Sequence, residues 1–349
     1  TRVRSSAASD VYKRQGGMAA LADADLHTQG SFSSAGSPER EDGSFGTWPC
    51  PLETTSVSLI VVGFNSEGPL RHLLTKLAAD MGRLPSWQIV VVNNSLEDAP
   101  AIADLAREFG CFCVQNDENI GYGAAANIGA ANAGGDYLLF LNPDVVITQG
   151  SISVLVHAAL ATPEGVAFGP VLFDEGRRRR GKSVSIADPV RFPRWRSHRK
   201  AGKRQTAFLP GCALLVKADA FRLIGGFDEN IFLFHEDDDL CIRLRDLGAL
   251  FIVEAAAALH SHGRASSDPG KWRPIKARSQ GHSMHYVMRK HRGTIGVSSA
   301  IARLLLRCLS PLNLLSGRYR TKTFQIVSGF VFSMRHGTED RGRILRMPV

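Results

Sequence analysis

Three short stretches hold residue types that could do chemistry. His235-Glu236-Asp237-Asp238-Asp239-Leu240-Cys241-Ile242-Arg243 places four acids in a row at the start of a helical pattern. Acids in a first turn suit the helix dipole. Four exceed what capping needs, because like charges repel and raise one another's pKa. A carboxylate poised in this way is what a general base requires. Leu141-Asn142-Pro143-Asp144 ends an apolar run and leaves one carboxylate behind a proline that breaks the ladder. A magnesium or manganese ion on a nucleotide needs one or two protein carboxylates, since phosphates and water fill its other positions. An Asx-turn or a helix N-cap is the competing use of such an Asp. His260-Ser261-His262-Gly263 follows another apolar run. Its imidazoles are either a metal ligand beside the acids or plain surface histidines.

A fourth stretch, Asn119 to Asn127, contains the Gly-x-Gly-x-x-Ala spacing of dinucleotide loops. That loop belongs after a fold's first strand, and this one follows the third. Close packing of a small-residue helix, with its backbone near a ligand, is the expectation instead of a nicotinamide site.

The elements that must position these residues alternate. Val57 to Val62, Ile89 to Val92, Cys111 to Val114 and Tyr137 to Leu141 are short apolar runs ended by polar turns. Between them Leu70, Leu73, Leu74 and Leu77, then Ile102, Leu105 and Phe109, then the Ala-rich Gly121 to Ala133, recur as helices. Such alternation predicts an α/β fold: a parallel sheet with helices on both faces. Ligands then bind beyond the carboxyl ends of the strands, where Asn65, Asn93 to Ser95 and Asn142 to Asp144 sit. A second block reads as strands at Gly165 to Leu172, Ala213 to Val216 and Leu250 to Val253. Its helices are Ala218 to Ile224 and Glu236 to Leu247, the latter capped by Gly248. From about residue 271 the pattern is helical and basic, with Leu304, Leu305, Leu309, Leu312 and Leu315 on one side.

Charge is distributed unevenly over the 349 residues. The net charge is +9, but residues 177–204 alone carry +11, residues 271–349 carry +14, and the remainder carries −16. An acidic body with a basic loop and a basic tail argues against a nucleic-acid partner and for anionic substrates or a membrane surface. The basic loop, with Phe192, Pro193 and Trp195 among its charges, reads as a lid that meets anionic groups or as a solvated segment. Apolar residues make up 44%, enough for a globular core, yet no run reaches the roughly 18 residues of a membrane span. Six cysteines without a Cys-x-x-Cys pair fit a reducing cytosol rather than a disulfide scaffold. Ser5 to Gln15 resembles translated sequencing-adapter sequence, so residues 1–17 read as non-native, and 18–55 as disordered. A body over 56–270 and a helical region over 271–349 follow.

Taken in order, the motifs resemble family 2 glycosyltransferases, in particular the bacterial rhamnosyltransferase-like branch. The matching pieces are Val57 to Ser66, Val90 to Asp98, Asn119 to Gly129, Asp136 to Asp144, Gly211 to Val216, Gly225 to Glu229, Glu236 to Arg243 and His260 to Ser266. The resemblance implies a GT-A fold. It also implies inverting transfer of a sugar from a nucleotide-diphospho-sugar to a saccharide or lipid-linked acceptor, with Mn2+ or Mg2+ as cofactor. Rhamnose from dTDP-rhamnose is the first expectation, galactofuranose or glucose the second. A degenerate nucleotide-binding homologue is the third. The setting implied is cell-surface polysaccharide synthesis in the cytoplasm or at the cytoplasmic face of the inner membrane. Peripheral contact there would run through 177–204 and 271–349.

Position by position, the resemblance makes Asp237 the base with Glu236 beside it. Asp144 and His260 become the metal residues, with His262 as the alternative to His260. Phe64, Asn65, Asn93, Ser95, Asn119, Gly121, Asn127 and Asn142 fall around the nucleotide-sugar. Asn93 stands where the family usually has Asp, and Gly63-Phe64 where it usually has Thr-Tyr.

Overall fold

The computed structural model describes residues 55–80, 87–174, 179–180, 199–200, 202–261 and 269–337. The expectations for residues 1–17, for nearly all of 18–55, for His262 and for most of the basic segment 177–204 lie outside the described residues.

The chain runs β1 (Val57–Gly63), α1 (Glu67–Asp80), β2 (Trp87–Asn93), α2 (Ala99–Glu108), β3 (Phe112–Gln115), α3 (Tyr122–Ala131), β4 (Tyr137–Leu141) and β5 (Val145–Ile147). It continues α4 (Gln149–Leu160), β6 (Gly165–Phe173), β7 (Arg179–Arg180), β8 (Arg199–Lys200), β9 (Lys203–Thr206), β10 (Ala213–Lys217), α5 (Ala218–Leu223), α6 (Glu236–Leu244) and β11 (Ala249–His260). The helices α7 (Pro269–Cys308), α8 (Pro311–Leu315) and α9 (Gly317–His336) follow.

One sheet runs β3-β2-β1-β4-β10-β6-β11-β9-β8, with β5 on β11 and β7 on β6. The first four strands are parallel, as the apolar runs predict. β10 then enters antiparallel to both β4 and β6. Its amino end therefore lies at the same edge as the carboxyl end of β4. That edge also carries the switch point where the chain, having placed β2 and β3 on one side of β1, crosses to place β4 on the other.

Alternate residues of each strand serve opposite faces. Leu59, Val61, Val91, Leu139, Leu141 and Leu215 pack under α1, α2 and α4, against Leu70, Leu73, Leu74, Ile102, Leu105 and Ile152. Ile60, Val90, Val92, Leu138, Phe140 and Leu214 pack under α3, α5 and α6, against Ala125, Ala126, Phe221, Phe227 and Leu240. Each fully buried aliphatic or aromatic side chain contributes about 1.5–3 kcal/mol. A third cluster, with Met284, Val287, Met288, Leu304, Ile326 and Phe330, joins α7 and α9 and takes in Ile231 of the body.

Several expected boundaries shift. The last strand reaches His260 rather than Val253, with a register irregularity between Val253 and Ala257. The Ala-rich run beyond Val253 has weak strand preference, and pairing with β6 and β5 overrides it. Helix α4 and strand β5 were not expected. The sequence did hold the α4 signal: Thr148 caps it by accepting from Ser151 N at 3.2 Å, and Ile152, Leu155, Val156 and Ala159 follow at helical spacing. Helix α6 ends at Leu244, not Leu247. Gly248 is not its left-handed cap; a Cβ there would lie 2.7 Å from Glu164 O, so the constraint is close packing. The ends of the basic segment are strands β7, β8 and β9. Leu304 turns into the core, whereas Leu305, Leu309, Leu312 and Leu315 are exposed, so the five do not share one side.

Two contacts fasten the C-terminal helices. Gly281 of α7 and Gly329 of α9 meet backbone to backbone. A Cβ on Gly281 would lie 1.9 Å from Ile326 O, and one on Gly329 would lie 2.0 Å from Arg278 O. The second contact is ionic. Asp239 of α6 is fully buried, with Arg243 Nη2 at 2.6 Å, Lys290 Nζ of α7 at 2.6 Å and His291 Nε2 of α7 at 2.7 Å. Burial alone would raise its pKa, but the His291 hydrogen bond, the Arg243 charge and Lys290 outweigh that and hold it down at about 2.

Gly281→Ala should destabilise the protein by about 2–4 kcal/mol, because the clash is with backbone that cannot turn aside. Gly68→Ala, with nothing within 4 Å of the added Cβ, should be neutral or slightly stabilising. Urea midpoints compare the two. Asp239→Asn should cost about 3 kcal/mol or more, as expected when one partner of a buried ion network is removed. Because the folded pKa lies below the ordinary value, that contribution is full above about pH 4. It is lost as pH falls toward about 2. The stability gap between wild type and Asp239→Asn should therefore close over that range.

Candidate active site

The carboxyl edge of the parallel strands gathers most of the singled-out residues. After β4 the chain turns through Asn142 and Pro143, with Val145 N donating to Asn142 O at 3.1 Å. β5 then pairs antiparallel with the end of β11, setting Val145 opposite His260. Ser261 N closes the corner by donating to Asp144 O at 3.1 Å. This pairing brings His260 Nε2 to 3.3 Å from Asp144 Oδ1. The Asp144 side chain is only 3% exposed, and its Oδ1 is buried without a hydrogen bond.

The acids of α6 separate into two pairs. Asp239 is held as described, and Asp238 Oδ2 meets His235 Nδ1 at 3.0 Å. Among the described residues Glu236 and Asp237 have no ion-pair partner. Asp237 accepts from Gly211 N at 3.2 Å and from Asp238 N at 3.0 Å. Glu236 Oε2 is buried with no hydrogen-bond partner. Burial, then the neighbouring Asp237 charge, pushes the Glu236 carboxyl well up. Burial, then Asp238, also raises Asp237, while the Gly211 N–H and His235 pull the other way. The turn before α6 is strained: Phe234 and His235 both lie in the left-handed region, at φ +67° and +65°.

The dipeptide Gly211-Cys212 joins the two clusters. Gly211 N donates to Asp237, and Cys212 O accepts from Asn142 N at 3.0 Å. The Cys212 thiol is raised by burial and by the charges of Asp237 and Asp144. Tyr122, the first residue of α3, donates to Gly211 O at 3.2 Å and lies within the field of Glu236 and Asp237.

The remaining residues fall into three groups. Asn65 and Ser95 meet at the ends of β1 and β2, where Ser95 Oγ donates to Asn65 Oδ1. Asn93 is fully buried, and its amide donates to Ser95 O, Asp98 Oδ1 and Gln115 Oε1 at 2.8–3.2 Å. Asn119 accepts from Asn94 Nδ2 and Gly121 N, shaping the turn into α3. Gly121, at φ +89°, has Phe232 O 2.4 Å from where a Cβ would stand, so close packing is its role here. Asn127 is not brought to the cleft: its amide is used on Phe227 O and Phe227 N, both at 2.9 Å. It lines a cavity of about 370 Å3 with Asp228, Arg243 and Lys290, and neither Asp144 nor Asp237 reaches it.

Two residues at the edge were missed from the sequence. Trp272, near the start of α7, packs edge-on against Phe64 with ring centroids 4.7 Å apart. Lys276, one turn later, feels the charge of Asp144. The sequence signal was present as Lys271-Trp272-Arg273-Pro274-Ile275-Lys276 but blended into the general basicity of the tail.

As a cation site, Asp144 and His260 offer one buried carboxylate oxygen and one imidazole. Among the described residues no third His, Cys, Asp or Glu completes a protein cage. That donor set fits a divalent ion whose other positions are taken by phosphate and water.

Comparison with known proteins agrees with the geometry. The family model for glycosyl transferase family 2 matches residues 58–225. The N-acetylglucosaminyl-diphospho-decaprenol L-rhamnosyltransferase of Mycobacterium tuberculosis (strain H37Rv) is 30% identical over 247 residues, covering 62% of this chain and 80% of that protein. The rhamnosyltransferase WbbL of Escherichia coli (strain K12) is 28% identical over 225 residues, covering 58% and 83%. Among solved structures, the mannosyltransferase PcManGT from Pyrobaculum calidifontis in complex with GDP-Man and Mn2+ superposes with a TM-score of 0.52 at 13% identity, covering 81% of this chain and 88% of that one. Residues 1–349 of S. aureus TarS in complex with UDP-GlcNAc give 0.51 at 14% identity, covering 80% and 81%. At such identities the two structures speak for the fold, which is GT-A. The chain belongs to glycosyltransferase family 2, among its rhamnosyltransferase-like members.

Proposed function

We propose that this glycosyltransferase transfers a sugar with inversion from a nucleotide-diphospho-sugar to a saccharide or lipid-linked acceptor. The observation that carries it is the Gly211-Cys212 bridge, which sets the basic carboxylate Asp237 beside the turn that holds Asp144. Rhamnose from dTDP-rhamnose is the favoured donor, supported by the likeness to two rhamnosyltransferases. A lipid-linked acceptor is supported by the mycobacterial relative, whose acceptor is a diphospho-decaprenol.

Asp237 takes the proton of the acceptor hydroxyl. Its burial and acidic neighbours make it more basic than a solvated carboxylate, and the Gly211 N–H fixes its direction. Glu236 beside it is raised further by burial and by the Asp237 charge, which favours its neutral form. The acceptor oxygen bonds to the anomeric carbon as the bond to the diphosphate breaks, and the electron pair leaves with the nucleoside diphosphate. Asp144 and His260 would hold a divalent ion, Mn2+ or Mg2+, which supplies neutralisation of that developing charge. Asn65 and Ser95 line the base and ribose end, with Phe64 and Trp272 as the apolar wall. Asn93 braces this end from within.

The C-terminal helices bear on where the reaction takes place. Residues 269–337 contain thirteen Lys or Arg and no Asp or Glu. Leu305, Leu306, Leu309, Leu312 and Leu315 are all at least 53% exposed. No helix of the described residues is long and apolar enough to cross a membrane. An acid-free surface with projecting leucines suits the cytoplasmic face of an anionic bilayer, each basic residue near it contributing on the order of 1 kcal/mol. The segment 177–204 adds to the same charge.

Asp237→Asn should lower turnover by about 100-fold or more while nucleotide affinity stays close to wild type. Near-normal turnover would remove Asp237 as the base. Asp144→Ala should lose the manganese-dependent part of nucleoside diphosphate binding, read by calorimetry with and without the ion. In flotation assays the protein should rise with vesicles containing phosphatidylglycerol at low salt and release at high salt. Leu309→Asp with Leu312→Asp should abolish flotation with no loss of folding, since both side chains are exposed.

A further inference from the structure

The joint between α7 and α9 buries two histidines that the transfer reaction does not use. His282 is fully buried, and among the described residues neither of its ring nitrogens has a hydrogen-bond partner. His285, one turn on, is buried too. Its Nδ1 lies 2.8 Å from Ser333 Oγ of α9, and its ring meets Phe330 edge-on with centroids 5.2 Å apart. Both follow Gly281, where the backbones of α7 and α9 approach too closely to admit a Cβ. A joint packed this tightly cannot turn a ring out to water without parting the helices.

The charged groups of the two helices are all cationic, since 269–337 contains no Asp or Glu. On α7 itself, buried Arg278 donates to Gln325 Oε1 of α9, and the charge of Arg289 acts on His285. From α9 the joint is faced by Gln325, Ile326, Phe330 and Ser333, none of which ionises. From the body it is faced by Ile231 and by Leu233 O, which takes the Ser283 hydroxyl. The carboxylates that the body presents to α7 are Asp228 and Asp239, and Tyr286, Lys290 and His291 occupy them. A proton on His282 would therefore be a buried charge without a counter-charge. Burial, then His285, accordingly hold the pKa of His282 down at about 4 against an ordinary 6.5. Burial, then Arg289, lower His285 as well.

We propose that the α7–α9 joint is an acid-sensitive latch: protonation of His282 parts α9 from α7 while α7 stays fastened to the body. The proposal is independent of the donor and acceptor readings above. The closed joint holds His282 neutral, so closure is undiminished above about pH 6.5 and weakens as pH falls toward about 4. One proton separates the closed joint from the opened one, so the opening equilibrium rises by up to about tenfold per pH unit. The Asp239 network that fastens α7 gives way only at lower pH, between about 4 and about 2. The window between the two therefore loosens α9 alone. Opening uncovers Ile326 and Phe330 on α9 and Met284 and Met288 on α7, apolar surface that the closed form hides.

The test is hydrogen exchange read by mass spectrometry on the full chain from pH 7 to pH 5, corrected for the intrinsic pH dependence of exchange. Protection of the α9 amides should fall about 20-fold or more over that range. At pH 5 they should be protected less than the amides of β1 and β4, because α9 opens alone. His282→Gln and His282→Met cannot take the proton. Each should keep the pH 7 protection of α9 within about fivefold and reduce the fall to about threefold or less. Wild-type α9 protection that does not fall would overturn the latch. So would equal protection of α9 and the sheet at pH 5, which means that the chain opens as a whole. A fall that persists undiminished in both variants would assign it to another group and overturn the latch as well.

Discussion

The first turn of α6 concentrates four carboxylates, and like charges so close together can stay ionised only if the surroundings neutralise some of them. The fold does this selectively. Asp239 is sheathed by Arg243, Lys290 and His291, and Asp238 is paired with His235. Among the described residues Glu236 and Asp237 have no ion-pair partner, so they are the least compensated of the four. The same contacts do structural service. They tie α6 to α7, and α7 in turn carries Trp272 to Phe64. The strained pair Phe234 and His235 is tolerated because its neighbours are pinned. Tyr122 N donates to Phe232 O at 3.0 Å, and Ser283 Oγ donates to Leu233 O at 2.9 Å. Strain of about 1–3 kcal/mol per residue thus sits immediately before the acids it orients.

The opposite wall of the cleft depends on the sheet. Parallel strands bring Gly63, Asn93 and Leu141 to one edge, but they cannot by themselves deliver His260. That requires β11 to run beyond its first pairing with β6, pass through an irregularity after Val253, and pair again with β6 and with the three residues of β5. The irregularity is the device that re-aims the strand. Across it Glu254, Ala255 and Ala256 have no partner on β6, and without these three the alternation beyond would be reversed, with His260 facing away from Asp144.

How far the sequence revealed this follows from which signals are local. Apolar runs such as Leu59 to Val62 and the Leu70, Leu73, Leu74, Leu77 stripe report burial by periodicity, so the α/β body and its carboxyl edge were legible. Asp144, Asp237 and His260 were legible as candidates because their residue types are costly to place at an edge without purpose. Which acids of α6 face the cleft was not legible, since that depends on Lys290 and His291 from a distant helix. Asn93 reads as a ligand contact in sequence but is consumed by Ser95, Asp98 and Gln115, a network that only the fold assembles. Beyond Val253, β11 hid behind alanines that favour helix in isolation. Gly248 and Gly121 each looked like conformational or ligand-binding glycines. The space around them shows close backbone packing, and sequence spacing carries no measure of that.

The basic tail can now be understood through the acids it meets. A segment of thirteen Lys or Arg with no Asp or Glu would repel itself as an independent unit. Its inner side is turned to the acidic body, where Lys290 meets Asp228 and Asp239 and His291 meets Asp239. The Gly281–Gly329 contact lets α9 close over α7 from outside, burying Ile326 and Phe330 against Met284 and Met288. The exposed leucines of the α7–α8 turn lie on the outer side of this cap. An enzyme that only needed a helical cap would gain stability by placing acids among those arginines, since opposite charges at helical spacing stabilise and like charges do the reverse. Their absence from the whole of 269–337 is therefore a cost to that stretch alone, and it accords with the anionic surface proposed above.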